Sequence, residues 1–528
     1  MSEFSVATPS GTSARRHALG DLPRRTARRY SGKTAIVDGE IRLTFAELDD
    51  LVDRYAGALS ARGLAKGDRL ALLSHNCWQF LALSFATARL GVVLVPINFM
   101  LGAGEIAFIL DHSGAAGIVA EDGLAGVADQ ALERVDATME VRARIALGSG
   151  GDGWEDTGDW RLEPADAAPE VVVGDDDPIR LMYTSGTESR PKGVLLSSRS
   201  LLWEYVSCVA DGEMSADDVD LHSLPLYHCA QLDCFAGPDL YLGATGVILR
   251  GPDPATVLRT IATERITKYF APPTVWISLL RHPDFDATDL SSLRKGYYGA
   301  SPMPTEVLRE IQQRLPDVRL WNFYGQTEMS PVATILPPAE QLTHAGSAGR
   351  PVLNVETRVV DDLDLPLPPG QVGEIVHRSP HLTLGYFRDE DKTAEEFRGG
   401  WFHSGDLGVF DAEGRLSVVD RKKDMIKTGG ENVASREVEE TIYALDAVAE
   451  VAVFGLDHPR WVEAVAAVVV PREGAELSPE DVVAHCRSRL AGFKTPKYVV
   501  LADALPKNPS GKILKRTLRE RYAGLVTD

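Results

Sequence analysis

One stretch of the sequence carries hydroxyls, glycines and a lysine in the order that a phosphate-binding loop needs. It covers residues 179–194, IRLMYTSGTESRPKGV, and runs from an apolar predicted strand into a loop. Hydroxyl groups, a lysine and backbone amides left accessible by glycine are the groups that wrap phosphate oxygens. The residues expected to contact phosphate are Thr184, Ser185, Gly186, Thr187 and Lys192. Pro191 precedes the lysine and Gly193 follows it, so the pattern G-x-x-x-x-G-K-[ST] is not met and a Walker-type nucleotidase is disfavoured.

Four further motifs follow this loop along the chain. They cover residues 322–328 (NFYGQTE), 401–407 (WFHSGDL), 420–423 (DRKK) and 506–512 (PKNPSGK). Taken alone, the glutamate of the first would be a solvated acid, DRKK a charged turn and the last lysine a solvent-facing side chain. In a chain that already carries a phosphate loop, the same residue types favour a nucleotide site.

The order of these motifs resembles the adenylate-forming superfamily of acyl-CoA synthetases, luciferases and peptide-synthetase adenylation domains. The loop resembles the family's YTSGTTGxPKG, NFYGQTE its YGxTE, WFHSGDL its Y-x-T-G-D, and PKNPSGK its catalytic-lysine motif. The matches run from Tyr183 to Lys512, and the sequence looks closest to bacterial fatty-acyl-CoA ligases and related amide synthetases. It departs from the family at Glu188 and Ser189, where Thr and Gly are usual, so phosphate contacts from these two positions stay open.

The resemblance implies roles for individual residues in forming an acyl-AMP. Tyr324 would stack on adenine, Thr327 would bond the α-phosphate, and Glu328 would hold Mg²⁺, for which a carboxylate oxygen is suited. Asp406 and Arg421 would bind the ribose hydroxyls. The other residues expected at the ATP or AMP site are Gly299, Ala300, Ser301, Asn322 and Gly325. Lys512 would stabilise the reacting centre.

The resemblance also implies a second half-reaction, in which coenzyme A displaces AMP after a small C-terminal domain rotates. Lys423 stands at the family's pivot position and is the predicted hinge. Gly429 and Gly430 would line a narrow thiol tunnel, because glycine lets a backbone approach a ligand closely. The two glycines are explained equally well as a turn.

Residues 224–235 resemble the element that borders the acyl pocket in relatives. His228 would gate thiol entry there, although a histidine on an apolar helix is more often a satisfied core residue. Tyr227 would line the pocket. Two interpretations of Asp233 are open: a helix residue hydrogen-bonded to a nearby turn or facing solvent, or a residue of the acyl or acceptor pocket that favours a substrate bearing an N–H group.

The elements that must position these residues predict an α/β fold. Short β-rich runs at 34–37, 69–73, 92–96 and 117–120 alternate with helix-like stretches such as 45–62 and 78–90, which indicates βαβ units around mainly parallel sheets. Tight turns between about 346 and 420 indicate a small β-unit. We predict a loose tail over 1–17, an AMP-binding domain over 18–420, and a mobile α+β domain over 421–528 that carries the catalytic lysine.

Composition limits the partners. The chain has 528 residues, enough for several domains, and a formal net charge of −21, which argues against binding nucleic acid. Its five cysteines show no spacing typical of a disulfide framework or a zinc site. We see no apolar segment suited to export or to spanning a membrane, and expect a cytoplasmic enzyme.

We therefore predict an ATP- and Mg²⁺-dependent ligase that converts a fatty or aryl acid into acyl-AMP and passes the acyl group to coenzyme A. One alternative is an amide synthetase, which would transfer the acyl group to an amine. A nucleotide-binding module without catalysis is a second alternative, against which Lys512 and Glu328 argue. The sequence leaves open which acid is used and the oligomeric state.

Overall fold

The structure, a computed structural model, describes residues 16–135, 139, 141–145, 153–164, 168–184, 191–301, 303–507 and 513–526. The chain divides into two compact units, the first comprising 1–356 with 378–400 and the second 357–377 with 401–528. Of the predicted tail, only Arg16 and His17 are among the described residues. The predicted boundary at residues 420 and 421 falls inside the second unit and stays a prediction.

The strands, in chain order, are β1 Thr34–Asp38, β2 Ile41–Thr44, β3 Arg69–Leu73, β4 Val93–Ile97, β5 Gly117–Glu121, β6 Val141–Ile145, β7 Glu155–Asp156, β8 Pro178–Thr184, β9 Lys192–Ser197, β10 Val219–His222, β11 Thr245–Ile248, β12 Lys268–Phe270, β13 Lys295–Gly299, β14 Arg319–Gly325, β15 Val332–Leu336, β16 Arg350–Pro351, β17 Glu356–Val360, β18 Gly373–Arg378, β19 Gly385–Tyr386, β20 Phe402–Phe410, β21 Leu416–Arg421, β22 Ile426–Thr428, β23 Glu431–Val433, β24 Val448–His458, β25 Val462–Pro471 and β26 Tyr498–Leu501.

The α-helices are α1 Leu22–Tyr30, α2 Phe45–Ala61, α3 Trp78–Leu90, α4 Ala103–Ser113, α5 Ala125–Leu132, α6 Thr157–Trp160, α7 Ser198–Asp211, α8 Cys229–Gln231, α9 Gly237–Leu242, α10 Pro254–Thr263, α11 Pro273–Leu280, α12 Thr305–Arg314, α13 Glu390–Glu396, α14 Ser435–Tyr443, α15 Pro479–Arg487 and α16 Lys515–Tyr522. A π-helical turn, Leu232–Ala236, joins α8 to α9, and a 3-10 turn, Thr327–Met329, follows β14. No helix among the described residues is both long enough and apolar enough to cross a membrane.

Two large sheets form the first unit. The nine-stranded sheet has the order β16-β15-β14-β13-β12-β10-β11-β1-β2, and the eight-stranded sheet has the order β19-β9-β8-β4-β3-β5-β6-β7. Neighbouring strands from β11 through β10, β12 and β13 to β14 are parallel, as are those from β8 through β4, β3 and β5 to β6. Antiparallel strands lie at both ends of the nine-stranded sheet and at the β19 end of the eight-stranded sheet. The mainly parallel α/β fold is therefore confirmed, and loops that follow parallel strands share one edge of each sheet.

Local sequence signals account for the helices around these sheets. Helix α3 coincides with the predicted stretch 78–90, and α2 ends one residue before the predicted 62. Helix α2 begins at a capping box, since Thr44 Oγ1 accepts from the Glu47 amide at 3.2 Å and the Glu47 carboxylate accepts from the Thr44 amide at 2.8 Å.

The second unit contains two smaller sheets. One has the order β17-β18-β20-β21, and the other has the order β23-β22-β25-β24, with β26 parallel beside β25. Helices α14 and α15 pack on the second of these through Val438, Ile442 and Val482. One of the tight turns predicted between about 346 and 420 lies at 412–414, with Gly414 at φ 77°.

Candidate active site

The predicted phosphate loop connects two antiparallel strands of the first unit. Strand β8 ends at Thr184 and β9 begins at Lys192, and these two residues are directly opposed in the ladder. The Lys192 ammonium lies 5.8 Å from the centre of the Tyr386 ring. Ser185, Gly186 and Thr187, like Glu188 and Ser189, lie outside the described residues. The strand-to-loop-to-strand arrangement places the two ends of the loop side by side.

A second group of predicted residues follows the parallel neighbours β13 and β14. Gly299 pairs with Phe323, so the loop containing Ala300 and Ser301 lies beside the end of β14. A side chain at 299 would not fit, because an added Cβ would lie 2.5 Å from the Phe323 carbonyl oxygen. Ala300 adopts φ 64°, which is uncommon outside glycine. The chain thus makes a tight bend at this edge.

Strand β14 carries the residues of the NFYGQTE motif. Asn322 is buried and its side-chain amide donates to the Ser347 carbonyl at 3.0 Å, so it fixes the strand internally. Tyr324 is half-buried at the strand's end. Gly325 has no room for a side chain, since a Cβ would lie 1.9 Å from the Pro331 carbonyl oxygen. The chain then enters the 3-10 turn that contains Thr327 and Glu328.

Glu328 is held through both its backbone and its carboxylate. Its carbonyl accepts from the Thr383 amide at 2.8 Å, and its Oε1 accepts from the Tyr386 hydroxyl at 2.9 Å. Burial and the adjacent Glu328 charge raise the pKa of Tyr386, so the hydroxyl keeps its proton and remains a donor. Tyr386 was not identified from the sequence, where its Gly-Tyr-Phe context carries no distinctive spacing.

His228 caps α8 and does not stand on the face of an apolar helix. It is half-buried, and its Nδ1 accepts from the Ala230 amide at 3.2 Å, so the neutral ring carries its hydrogen on Nε2. The next residue, Cys229, lies 3.3 Å from the Thr327 hydroxyl, Sγ to Oγ1. The predicted gate and the predicted α-phosphate contact are therefore adjacent. Burial raises the pKa of the Cys229 thiol to about 12, so it stays neutral.

Tyr227 lies beside this histidine and packs edge-on against Phe99, with ring centres 5.3 Å apart. Its hydroxyl oxygen is buried and has no hydrogen-bond partner among the described residues. A buried hydroxyl without a partner is costly, so the group is suited to a ligand that can bond it.

Asp233 lies in the interior of the first unit, within the π-helical turn. It forms an ion pair with Arg180, and its Oδ1 also accepts from the Tyr205 hydroxyl at 3.2 Å. Asp233 is fully buried, and burial raises the pKa of its carboxyl while Arg180 opposes that shift. These contacts favour a structural role, because Oδ1 accepts from two protein donors, whereas Oδ2 is buried without a hydrogen-bond partner among the described residues.

In the second unit, the predicted ribose-binding residues face each other across a β-hairpin. Asp406 on β20 is directly opposite Arg421 on β21, and Arg421 Nε lies 3.1 Å from Asp406 Oδ1. The carboxylate and the guanidinium are thus placed together by strand register. Lys423 follows in the turn in which the amides of Asp424 and Met425 donate to the Arg421 carbonyl.

Gly429 and Gly430 form the two-residue turn between β22 and β23. Their φ values are 61° and 88°, which a side chain rarely permits. The Gly429 amide donates to the Trp461 carbonyl at 2.9 Å. The two glycines therefore form a turn, and their role in a thiol tunnel stays a prediction.

Trp461 is a residue that the sequence did not single out. The Lys497 ammonium lies 5.2 Å and the Arg460 guanidinium 5.7 Å from its ring centre, and His458 stacks on it at 4.2 Å. An aromatic ring flanked by two cations beside a glycine turn can bind a planar base with phosphates. The signal in the sequence is a tryptophan next to an arginine, which is weak without the fold.

Lys512 lies outside the described residues, and only the residues on either side of 508–512 are described. Lys507 and Ile513 pair as an antiparallel bridge, and the Leu514 amide donates to the Pro506 carbonyl at 2.8 Å. The residues before and after 508–512 are therefore neighbours in space. Helix α16 follows directly.

Two family profiles and several known proteins match this chain over most of its length. The profile of the AMP-binding enzyme family matches residues 23–387, and that of the AMP-binding enzyme C-terminal domain matches 437–512. A feruloyl-CoA synthase of Amycolatopsis sp is 38% identical over 96% of this chain and 100% of its own. A solved Mycobacterium tuberculosis fatty acyl CoA synthetase is 34% identical with a TM-score of 0.78, covering 97% of this chain and 99% of its own.

A solved amide bond synthetase from Marinactinospora thermotolerans is 30% identical with a TM-score of 0.84, covering 96% of this chain and 100% of its own. The names of these relatives thus differ in the product, an acyl-CoA for two of them and an amide for the third. The family profile covers more than half of the chain, and the feruloyl-CoA synthase matches nearly all of it. This chain belongs to the AMP-binding enzyme family and is an AMP-forming acid–thiol ligase.

Proposed function

We propose that this enzyme activates an aromatic carboxylic acid with ATP and Mg²⁺ and transfers the acyl group to coenzyme A. The observation that carries the adenylation site is the meeting of two loops in the first unit: the residues after β14 contact the His228 segment through Cys229 and Thr327. The strand that follows the phosphate loop, β9, is tied to Glu328 through β19.

In the first half-reaction, the acid's carboxylate oxygen attacks the α-phosphorus and pyrophosphate leaves with the electron pair of the broken P–O bond. The protein's part is to position the reactants and stabilise charge. Thr184, Ser185, Gly186, Thr187 and Lys192 bind the β- and γ-phosphates, Tyr324 and Gly299–Ser301 bind the adenine side, Asp406 and Arg421 bind the ribose, and Lys512 stabilises the reacting centre.

The groups around Glu328 fit Mg²⁺. A carboxylate and the neighbouring Thr327 hydroxyl offer hard oxygen donors, and Mg²⁺ commonly takes one or two protein carboxylates together with substrate phosphates. When bound, the ion would neutralise charge on the pyrophosphate that leaves. The chain's own residues keep the Glu328 carboxylate oriented.

In the second half-reaction, the thiol of coenzyme A attacks the acyl carbonyl carbon and AMP leaves with its phosphate oxygen. Gly429 and Gly430 would let the pantetheine pass close to the backbone. Trp461, with Lys497 and Arg460 beside its ring, would take the adenine and phosphates of coenzyme A. Lys423 would be the hinge between the two half-reactions.

An aromatic acid is favoured over a long alkyl chain by the packing beneath the edge loops. Phe235 stacks on Phe270 at 4.4 Å and on Phe323 at 5.6 Å, and all three rings are buried. Phe235 stands in the π-helical turn, and Phe270 and Phe323 stand on β12 and β14; a Cβ at Gly299 would lie 3.7 Å from the Phe270 ring. A long acyl chain needs a channel, whereas a flat ring can lie against Tyr227. The name of the feruloyl-CoA synthase relative also points to an aromatic acid.

A panel of acids tests the proposal. Cinnamate-type and indole acids and a series of fatty acids would be compared by pyrophosphate release, with and without coenzyme A. Aromatic acids should give the highest kcat/KM and yield the thioester. Faster turnover of a long-chain fatty acid would contradict the substrate class, and pyrophosphate release without any thioester would contradict the acceptor.

The amide synthetase among the structural neighbours makes an amine acceptor the second candidate. Replacing coenzyme A by amines in the same assay and identifying the product separates the two. Amide formation that exceeds thioester formation at equal acceptor concentration would favour this alternative.

A further inference from the structure

Residues 378–400 form a segment, here named the strap, that belongs to the first unit although the chain on both sides of it belongs to the second. Within the strap, β19 pairs antiparallel with β9, Gly385 opposite Leu195 and Tyr386 opposite Val194. The Phe387 amide donates to the Gly193 carbonyl at 2.8 Å. The strap is thus bonded to the first residues after the phosphate loop.

The same strap also contacts the turn that follows β14. The Thr383 amide donates to the Glu328 carbonyl, and the Tyr386 hydroxyl donates to Glu328 Oε1, so one short segment fixes both the backbone and the side chain of this acid. Tyr386 is 8% exposed, and its amide donates to Thr393 Oγ1 at 2.9 Å. The backbone of Tyr386 is therefore fixed by the strap, which orients the ring and its hydroxyl towards the Glu328 carboxylate.

We infer that Tyr386 is a positioning residue for the metal site: its hydroxyl sets the orientation of the Glu328 carboxylate relative to the phosphate-loop strand and Lys192. The inference rests on the proposed role of Glu328 as the Mg²⁺ ligand.

The physical reason lies in the strict geometry of the ion. Mg²⁺ needs ligand oxygens at about 2.0–2.1 Å in a near-octahedral arrangement, so a carboxylate that rotates freely binds it poorly. Hydrogen bonds to a ligating carboxylate restrict that rotation, and their loss typically weakens metal binding by about 10- to 100-fold. Strand β19 carries this restraint on the same ladder as Lys192, which couples the metal and phosphate positions.

The variant Tyr386→Phe removes the hydroxyl and keeps the ring over Lys192. Two measurements are made on the full chain: the Mg²⁺ concentration for half-maximal pyrophosphate release, and binding of Mn²⁺ to the enzyme with a non-hydrolysable ATP analogue, followed by electron paramagnetic resonance. We expect both midpoints to rise about 10-fold. Binding of the analogue without metal, and the melting temperature without ligands, should stay near those of the parent.

Tyr269→Phe is the matched control. Tyr269 is likewise buried and bonds one hydroxyl, Ser223, at 2.9 Å, yet it has no contact with Glu328 among its described partners. It should leave both metal midpoints unchanged. An equal rise in Tyr269→Phe, or no rise in Tyr386→Phe, would overturn the inference.

A double variant separates a local effect from a general one. Glu328→Gln removes the metal-binding charge, so adding Tyr386→Phe to it should change the Mn²⁺ midpoint little. A further rise of about 10-fold in the double variant would show that the hydroxyl acts through another group and would sink the inference. The proposed function is judged separately, because it fails if the parent enzyme itself shows no acid- and ATP-dependent pyrophosphate release.

Discussion

The two units position their candidate residues in different ways. In the first unit, the positioning contacts join distant parts of the chain: Tyr386 and Glu328 are 58 residues apart, and Cys229 and Thr327 are 98 apart. In the second unit, the positioning is local. Asp406 faces Arg421 across one hairpin, and a two-residue turn sets Gly429.

This difference predicts how each unit responds to mutation. A loop held by long-range contacts depends on the integrity of the whole unit, whereas a hairpin can lose one residue and keep its neighbours in place. Loss of a buried charge in the first unit should therefore lower stability, and variants in the second unit should affect single steps of the reaction.

The largest effect is expected for Asp233→Ala in the first unit. Removing one partner of a buried ion pair leaves the buried Arg180 guanidinium without its counter-ion, which typically costs about 3–5 kcal/mol. The free energy of unfolding, measured by urea denaturation, should fall by that amount. The ranking of acids and acceptors should stay the same if the residue is structural.

Two controls sharpen this prediction. Asp176→Ala breaks an exposed pair with Arg199. The Asp176 side chain is 62% exposed, so the loss should cost less than about 1 kcal/mol. The apolar double variant Arg180→Met/Asp233→Leu should regain much of the stability. Nearly full stability in Asp233→Ala, together with a shift from nitrogen-containing acids to plainly apolar acids, would instead support the acceptor-pocket interpretation.

The next largest effect is expected for Lys512→Ala in the second unit. A positioned charge at the reacting centre is typically worth about 10²–10³ in rate, so acyl-AMP formation should fall by that factor. Thioester formation from supplied acyl-AMP should fall much less, and the unfolding free energy should not change. Pyrophosphate release and thioester formation are measured in separate assays.

Lys507→Ala, five positions before Lys512 in the sequence, is the control. Lys507 pairs with Glu450 at 2.6 Å and should not affect adenylation. Equal losses in both half-reactions of Lys512→Ala would contradict the view that this residue serves one step.

The comparison also explains what the sequence could and could not predict. Helix α3 and strand β3 were placed by periodicity and apolar runs, which depend only on local residues. The strand before the phosphate loop and the glycine turn at 429 and 430 followed from residue type as well. The tight turn at 412–414, between β20 and β21, was predicted for the same reason.

The strap could not be predicted from the sequence. The tight turns of 346–420 indicated one β-unit, whereas contacts assign 378–400 to the first unit and 357–377 to the second. Pairing of β19 with β9 joins residues almost two hundred positions apart, as the contact between Thr383 and Leu195 shows with a separation of 188. No periodicity within either segment encodes such a partner, so Tyr386 and the ion pair of Arg180 with Asp233 required the fold.

A smaller effect is expected for Trp461→Ala in the second unit. Stacking of a base on an aromatic ring is worth about 1–3 kcal/mol, so the KM for coenzyme A should rise about 10-fold while pyrophosphate release without coenzyme A stays unchanged. Trp461→Phe should lose less. Trp203→Ala, at an exposed position on α7 of the first unit, is the control and should leave that KM unaltered. An unchanged KM in Trp461→Ala would remove the residue from the proposed coenzyme A site.

The smallest effect concerns Gly430, where the turn and the tunnel interpretations make different predictions. Its φ of 88° strains any residue with a Cβ, yet among the described residues no atom beyond its chain neighbours lies within 4 Å of the position a Cβ would take. Gly430→Ala should therefore lower the unfolding free energy by only about 1 kcal/mol, because the strain is confined to one backbone position. Gly430→Asn should lower it less, since asparagine tolerates the left-handed conformation.

Coenzyme A kinetics then decide between the interpretations. If the glycine serves only the turn, Gly430→Asn should match the parent in its KM for coenzyme A, and Gly430→Ala should differ only as far as its stability does. If the backbone here lines the thiol tunnel, the larger asparagine side chain should raise that KM more than alanine does, although it strains the turn less. The order of the two variants in stability and in KM is thus opposite under the tunnel interpretation. Measuring the unfolding free energy and the KM for coenzyme A on both variants excludes the tunnel if the two orders agree. Gly430 would then serve only the backbone conformation of its own turn, in keeping with the local positioning of the second unit.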